Sequence, residues 1–80
     1  MNILELFIIL YKDFSKYAEI GIKNECIIIR NFPMIYLISP DLHLYAFERL
    51  GRNNNEVIQF DDINMLKHRL QKLLCNKENE

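Results

Sequence analysis

Residues 19–39 read EIGIKNECIIIRNFPMIYLIS, and this stretch decides the fold class. It holds three apolar runs rich in β-branched residues, at 19–23, 26–30 and 34–38, and such runs favour strands. The breaks between the runs, at 23–25 and 31–33, have the composition of turns. We therefore predict two or three antiparallel strands. The second and third runs are apolar without interruption, which places them centrally in the sheet with both faces covered.

A helix is predicted before the first strand. Asn2 is followed three residues later by Glu5, which is the pattern of a capping box at a helix start. Apolar residues then recur at spacings of three and four, which is typical of a helix with one buried face. They are Ile3, Leu6, Phe7, Leu10, Phe14, Tyr17 and Ala18. Leu4, Ile8 and Ile9 make the first half apolar nearly all round, so that half lies either at the centre of the core or against a partner.

The sequence after the third strand has two readings. Ser39-Pro40-Asp41 combines a preferred N-cap, a first-turn proline and an acidic residue, and Gly51 suits a C-terminal cap. These features predict a middle helix over about 40–50. The alternative is a further strand over 42–49, because leucine and aromatic residues there also favour strands.

A short strand at 56–60 and a C-terminal helix complete the prediction. The helix begins after Asp61 or Asp62 and has a stripe of leucines on one side. If the middle helix forms, a right-handed crossover sets the strands at 34–38 and 56–60 parallel. The predicted fold class is α+β: an N-terminal helix, an antiparallel hairpin or three-stranded sheet, then helix, strand and helix.

Length and composition indicate one small cytoplasmic domain. The chain has 80 residues, 50% hydrophobic and 26% charged, which suits a single core over residues 1–76 with a disordered polar tail at 77–80. The net charge of −1 gives no general attraction to nucleic acid or anionic lipid. The apolar N-terminus lacks the basic region of a signal peptide and is too short to span a bilayer. The two cysteines are expected to be reduced.

Potential catalytic and metal-binding residues are few. Asp41, Asp61 and Asp62 would meet at one edge of a parallel sheet and could hold Mg²⁺, but each also fits a helix cap or first turn. Four potential zinc ligands lack the close pairing of zinc modules. They are Cys26, His43, His68 and Cys75. We predict no cofactor, no metal and no enzymatic activity.

The apolar and aromatic surface exceeds what so small a core can absorb, which favours protein–protein interaction. The residues predicted to form the interaction surface are Tyr11, Tyr17, Leu44, Tyr45 and Phe47. The domain would act as a homodimer or as an inhibitor or modulator of a larger partner, as small proteins of phages and mobile elements often do. The alternative is nucleic-acid binding by basic residues of the C-terminal helix, namely Lys67, Arg69 and Lys72. A Mg²⁺-dependent phosphoryl or phosphodiester enzyme is the third hypothesis.

Overall fold

The chain forms an antiparallel five-stranded sheet flanked by two helices in a computed structural model that describes residues 2–48 and 56–75. The elements in chain order are α1 (Ile3–Phe14), β1 (Glu19–Lys23), β2 (Cys26–Asn31), β3 (Met34–Ile38), β4 (His43–Glu48), β5 (Glu56–Gln59) and α2 (Ile63–Cys75). The strands are adjacent in the order β1-β2-β3-β4-β5. The predicted α+β class is confirmed. The tail predicted at 77–80 lies outside the described residues.

The first three strands form as predicted. Asn24 and Glu25 connect β1 to β2 with φ angles of 53° and 63°, and two successive positive φ values are typical of a tight type I′ hairpin turn. The turn sets Lys23 opposite Cys26, and β2 pairs in turn with β3. Strands β2 and β3 therefore lie inside the sheet, as their continuous apolar runs predict.

The predicted middle helix is wrong, because β4 occupies residues His43–Glu48. Ser39 starts a hairpin turn in place of a helix: its hydroxyl accepts a hydrogen bond from the His43 N–H at 3.2 Å, and its N–H donates to the His43 carbonyl at 3.0 Å. Leu42 has a φ of 66°, which lies outside the helical region. Strand β5 consequently pairs antiparallel with β4, so the parallel crossover is also wrong. Gly51 lies outside the described residues.

Side-chain caps start both helices. The Glu5 N–H donates to the Asn2 side-chain oxygen at 2.8 Å, and the Met65 N–H donates to Asp62 Oδ1 at 3.0 Å. These bonds satisfy backbone donors that have no partner within the helix. Asp62 is therefore the acidic cap predicted before the C-terminal helix. Neither helix in the two described ranges is long and apolar enough to cross a bilayer.

Both helices contribute to one core against one face of the sheet, which we call the inner face. The most deeply buried residues of this core come from α1, α2 and strands β2 to β4. They are Leu6, Leu10, Ile27, Ile29, Ile38, Leu44, Leu66, Leu70 and Leu74, each at most 2% exposed. The opposite face carries a second apolar set, which we call the outer face: Ile28, Ile35, Leu37, Tyr45, Phe47 and Val57. None of these six belongs to the core cluster of the described residues, so the prediction that both faces are covered is not met there.

Candidate interaction surface

The outer face is a continuous apolar surface because its residues are cross-strand neighbours. Ile28 pairs with Leu37, Leu37 with Tyr45, and Tyr45 with Val57, so one row crosses four strands. Ile35 and Phe47 form a shorter row beside it. Paired side chains on one face of an antiparallel sheet lie about 4.5–5.5 Å apart at Cβ and therefore contact each other.

Exposure along the main row increases toward β5. Ile28 is only 8% exposed, because it lies within the sheet and close to Gly21 of the neighbouring strand. Leu37 and Tyr45 are partly buried, and Val57 is 59% exposed. The two helices pack with the inner face, on the other side of the sheet. The apolar row is therefore most accessible at its β5 end.

Polar groups border this surface. His43 precedes Tyr45 by two residues on the same face of β4, and their rings stack with centroids 6.2 Å apart. Arg30 lies beside Ile35 in the cross-strand register and is 4.0 Å from the carboxylate of Glu19. An apolar centre with a polar margin is the usual arrangement of a protein-binding surface.

The predicted surface residues fall in three different environments. Tyr45 and Phe47 lie on the outer face of β4. Tyr11 and Tyr17 are 49% and 38% exposed, but they belong to α1 and the turn that follows it. Leu44 must be removed from the predicted surface: it is 2% exposed and lies in the core, because alternate residues of a strand point to opposite faces.

Ser39, Asp41 and His43 form a polar cluster at the β3–β4 turn. The Ser39 hydroxyl donates a hydrogen bond to Asp41 Oδ1, and the same oxygen lies 3.2 Å from His43 Nδ1. These two contacts, the serine first, lower the pKa of the Asp41 carboxyl below its ordinary 3.8. In a Ser-His-Asp triad the histidine lies between the serine and the carboxylate. Here the Asp41 carboxylate contacts both the Ser39 hydroxyl and the His43 ring, so the order differs from that of a triad. The contacts link the residues of the β3–β4 turn to one another.

The predicted Mg²⁺ ligands do not form a metal site. Asp62 caps α2, and Asp41 holds the β3–β4 turn with Ser39 and His43. Within residues 2–48 and 56–75, no group of three or more histidine, cysteine, aspartate or glutamate side chains is placed to hold a metal ion. The carboxylates thus have the local structural roles that their positions beside turns predict.

The predicted nucleic-acid surface is divided. Lys67 Nζ lies 3.0 Å from Asp13 Oδ2 of α1, so its charge is paired between the two helices. Arg69 lines a shallow cavity with Met34 and Leu73 on the other side of α2. Residues two apart on a helix point in directions about 160° apart. With Lys72 exposed, the three residues do not present one continuous basic face to a phosphate backbone.

Three residues of the outer face are absent from the surface predicted from the sequence. They are Ile28, Leu37 and Val57, and they join Tyr45 through strand register, which pairs residues distant in sequence. Leu4 and Ile8 of α1, which were predicted to lie in the core or against a partner, are 61% and 62% exposed. Comparisons with protein-family models, curated proteins and solved structures give no match. The surface geometry is therefore the basis for assigning a function.

Proposed function

We propose that this chain is a small non-catalytic protein–protein interaction domain that binds through its outer face. The observation that carries the proposal is the row from Ile28 to Val57, which is apolar across four strands and lies opposite the helices. A bound protein would remove this area from water, at roughly 25 cal/mol for each Å² of apolar surface.

The composition of the outer face supports a protein partner. Tyrosine and phenylalanine contribute large contact areas with few rotatable bonds, and aromatic residues are enriched at the energetic centres of interfaces. Tyr45 and Phe47 supply such groups on β4. The domain would act by self-association or by occluding a site on a larger partner. The free thiols of Cys26 and Cys75 fit the reducing cytoplasm, where we place this function.

Nucleic-acid binding and metal-dependent catalysis remain alternative hypotheses, but the geometry favours neither. The first would need the basic residues of α2 on one face, whereas Lys67 pairs with Asp13 and Arg69 points to the opposite flank. The second would need Asp41 and Asp62 to converge, whereas each is engaged in a local turn or cap.

Native mass spectrometry of the intact protein, purified gently from the cells that make it, tests the proposal. We expect the wild-type chain in a protein complex that Tyr45→Glu or Val57→Glu weakens at least about tenfold, because a charge would be desolvated at the apolar contact. Met65→Glu is the matched control: Met65 is 53% exposed on α2, away from the outer face.

The same spectra distinguish the other hypotheses. Co-purifying nucleic acid that is lost on Lys67→Glu with Arg69→Glu would favour the basic helix instead. If no complex, whether with another protein or with a second copy, responds to either outer-face substitution, the proposed binding surface is contradicted. Circular dichroism of each variant establishes that it has folded before its binding is compared.

A further inference from the structure

We infer that this chain also binds a second copy of itself, joined edge to edge through β1 so that two five-stranded sheets become one of ten strands. This inference goes beyond the proposed function, since it assigns self-association to a surface other than the outer face. It is carried by the edge position of β1, by the charges of that strand, and by the apolar flank of α1 beside it.

The backbone of β1 presents hydrogen-bonding groups on its free side. Lys23 and Cys26 flank the type I′ turn, so they form a hydrogen-bonded pair, and alternate pairs along the strand do the same. Gly21 and Glu19 thus bond toward β2, whereas the N–H and C=O groups of Ile20 and Ile22 point to the outside. No described strand pairs with this side of β1. An edge of this kind is a template for another strand.

The sequence of β1 is complementary to its own antiparallel copy. Glu19-Ile20-Gly21-Ile22-Lys23 has a negative residue at one end and a positive residue at the other. A two-fold axis at Gly21 sets Glu19 of each copy opposite Lys23 of the other. It also sets Ile20 opposite Ile22, and these are the residues with outward backbone groups. Opposite charges in such cross-strand pairs are stabilising.

This register is the best of those the two-fold symmetry allows. Paired residues of two antiparallel strands have their side chains on the same face of the sheet. The two-fold axis must therefore lie midway between two copies of the same residue. Centring it on Ile20 or Ile22 shortens the overlap of the two strands and separates Glu19 from Lys23. Centring it on Gly21 uses all five residues of β1 and places two glycines, which have no side chains, at the close approach.

Helix α1 supplies the apolar area that a strand edge alone lacks. Asp13 marks the flank of α1 that faces α2, through its contact with Lys67. Leu4, Ile8 and Tyr11 lie about 140–180° around the helix from Asp13, which is the flank toward the free edge of β1. Tyr11 indeed lines a groove together with Ile20 and Gly21. All three flank residues are at least 49% exposed.

The spacing of the sheet brings the two α1 helices into contact. Helix α1 packs over β1 and β2, on the inner face. In the joined sheet the midpoints of the two β1–β2 pairs are two strand spacings apart, about 9.6 Å. Packed helices have interaxial distances of 8–10 Å. Leu4, Ile8 and Tyr11 of the two copies would therefore meet across the axis and cover the exposed Ile22.

Sedimentation equilibrium of the full chain tests the inference. We expect a wild-type dimer whose dissociation constant rises about tenfold in Lys23→Glu, because both Glu19–Lys23 pairs become repulsive. The double variant Glu19→Lys with Lys23→Glu keeps the strand self-complementary and should recover most of the lost affinity. Ile8→Glu on the α1 flank should weaken the dimer at least as much, whereas the control Met65→Glu should leave it unchanged.

Each outcome separates this inference from the proposed function. A wild-type monomer, or a dimer unaffected by both Lys23→Glu and Ile8→Glu, would overturn the β1 arrangement. If Tyr45→Glu dissociated that dimer instead, the outer face would be the self-association surface, as the proposed function allows. If the double variant Glu19→Lys with Lys23→Glu failed to recover affinity, the register centred on Gly21 would be contradicted. Lys23→Glu still tests the arrangement if Ile8→Glu does not fold.

Discussion

The two faces of the sheet have similar side chains and different surroundings. On the inner face Ile29, Ile38 and Leu44 are at most 2% exposed beneath the helices. On the outer face Tyr45 is partly buried and Val57 is 59% exposed. Both faces therefore carry apolar surface whose burial is favourable. The position of the helices determines which of the two faces is buried within the domain.

This difference has an energetic consequence. Full burial of a large aliphatic or aromatic side chain contributes about 1.5–3 kcal/mol, and a half-exposed side chain realises only part of it. The inner face has used this free energy in folding. The outer face has realised only part of it, and so has the α1 flank formed by Leu4, Ile8 and Tyr11.

The largest predicted effect compares the faces directly by alanine substitution. Leu44→Ala on the inner face should lower the free energy of unfolding by about 2–5 kcal/mol, because it leaves a cavity under α2. Val57→Ala on the outer face should change it by no more than about 0.5 kcal/mol. Urea denaturation at a concentration where any complex has dissociated measures both. Equal losses at the two positions would mean that the outer face is covered within the domain.

The fold was predictable from the sequence where the hydrophobic pattern fits only one type of secondary structure. Residues 19–38 gave strands and turns, and the leucine stripe of α2 gave a helix, because period and composition agreed there. Residues 43–48 gave the wrong element for two physical reasons. Serine and aspartate stabilise tight turns as well as helix starts, and a strand that is apolar on both faces loses its alternation.

The candidate surface was predictable only in part for the same reason. Aromatic character identifies Tyr45 and Phe47, but the predicted helix also places Leu44 beside them, whereas the strand places Leu44 on the opposite face. The cross-strand neighbours Leu37 and Val57 depend on register, which pairs residues distant in sequence. The positive φ of Leu42, which ends any helical reading, has no signal in the residue type.

An intermediate effect is expected at the N-caps of the two helices that pack against the inner face. Asp62→Ala removes the side-chain acceptor of the Met65 N–H and should destabilise the domain by about 1 kcal/mol, through loss of the α2 cap. Asn2→Ala provides the comparison at the start of α1, where the Glu5 N–H loses its acceptor. Urea denaturation of both variants measures the losses. No change in either would show that these caps do not help to hold the helices over the inner face.

The smallest effect concerns the β3–β4 turn. This turn brings β4 into the sheet, where Leu44 and Tyr45 lie on opposite faces. The hydrogen bond from Ser39 and the nearby His43 lower the pKa of Asp41 below 3.8, so the folded state favours its carboxylate. The stability that this carboxylate contributes is fully present above pH 3.8 and is lost as the pH falls through the lower pKa of the folded state. Asp41→Asn should therefore be less stable than wild type at neutral pH, and this difference should vanish in acid. Urea denaturation of both proteins from neutral to acidic pH measures this difference in stability. In a second experiment, Ser39→Ala should move the pKa of Asp41, titrated by NMR, back toward 3.8. A pKa that stayed low in Ser39→Ala would show that the serine is not the main cause.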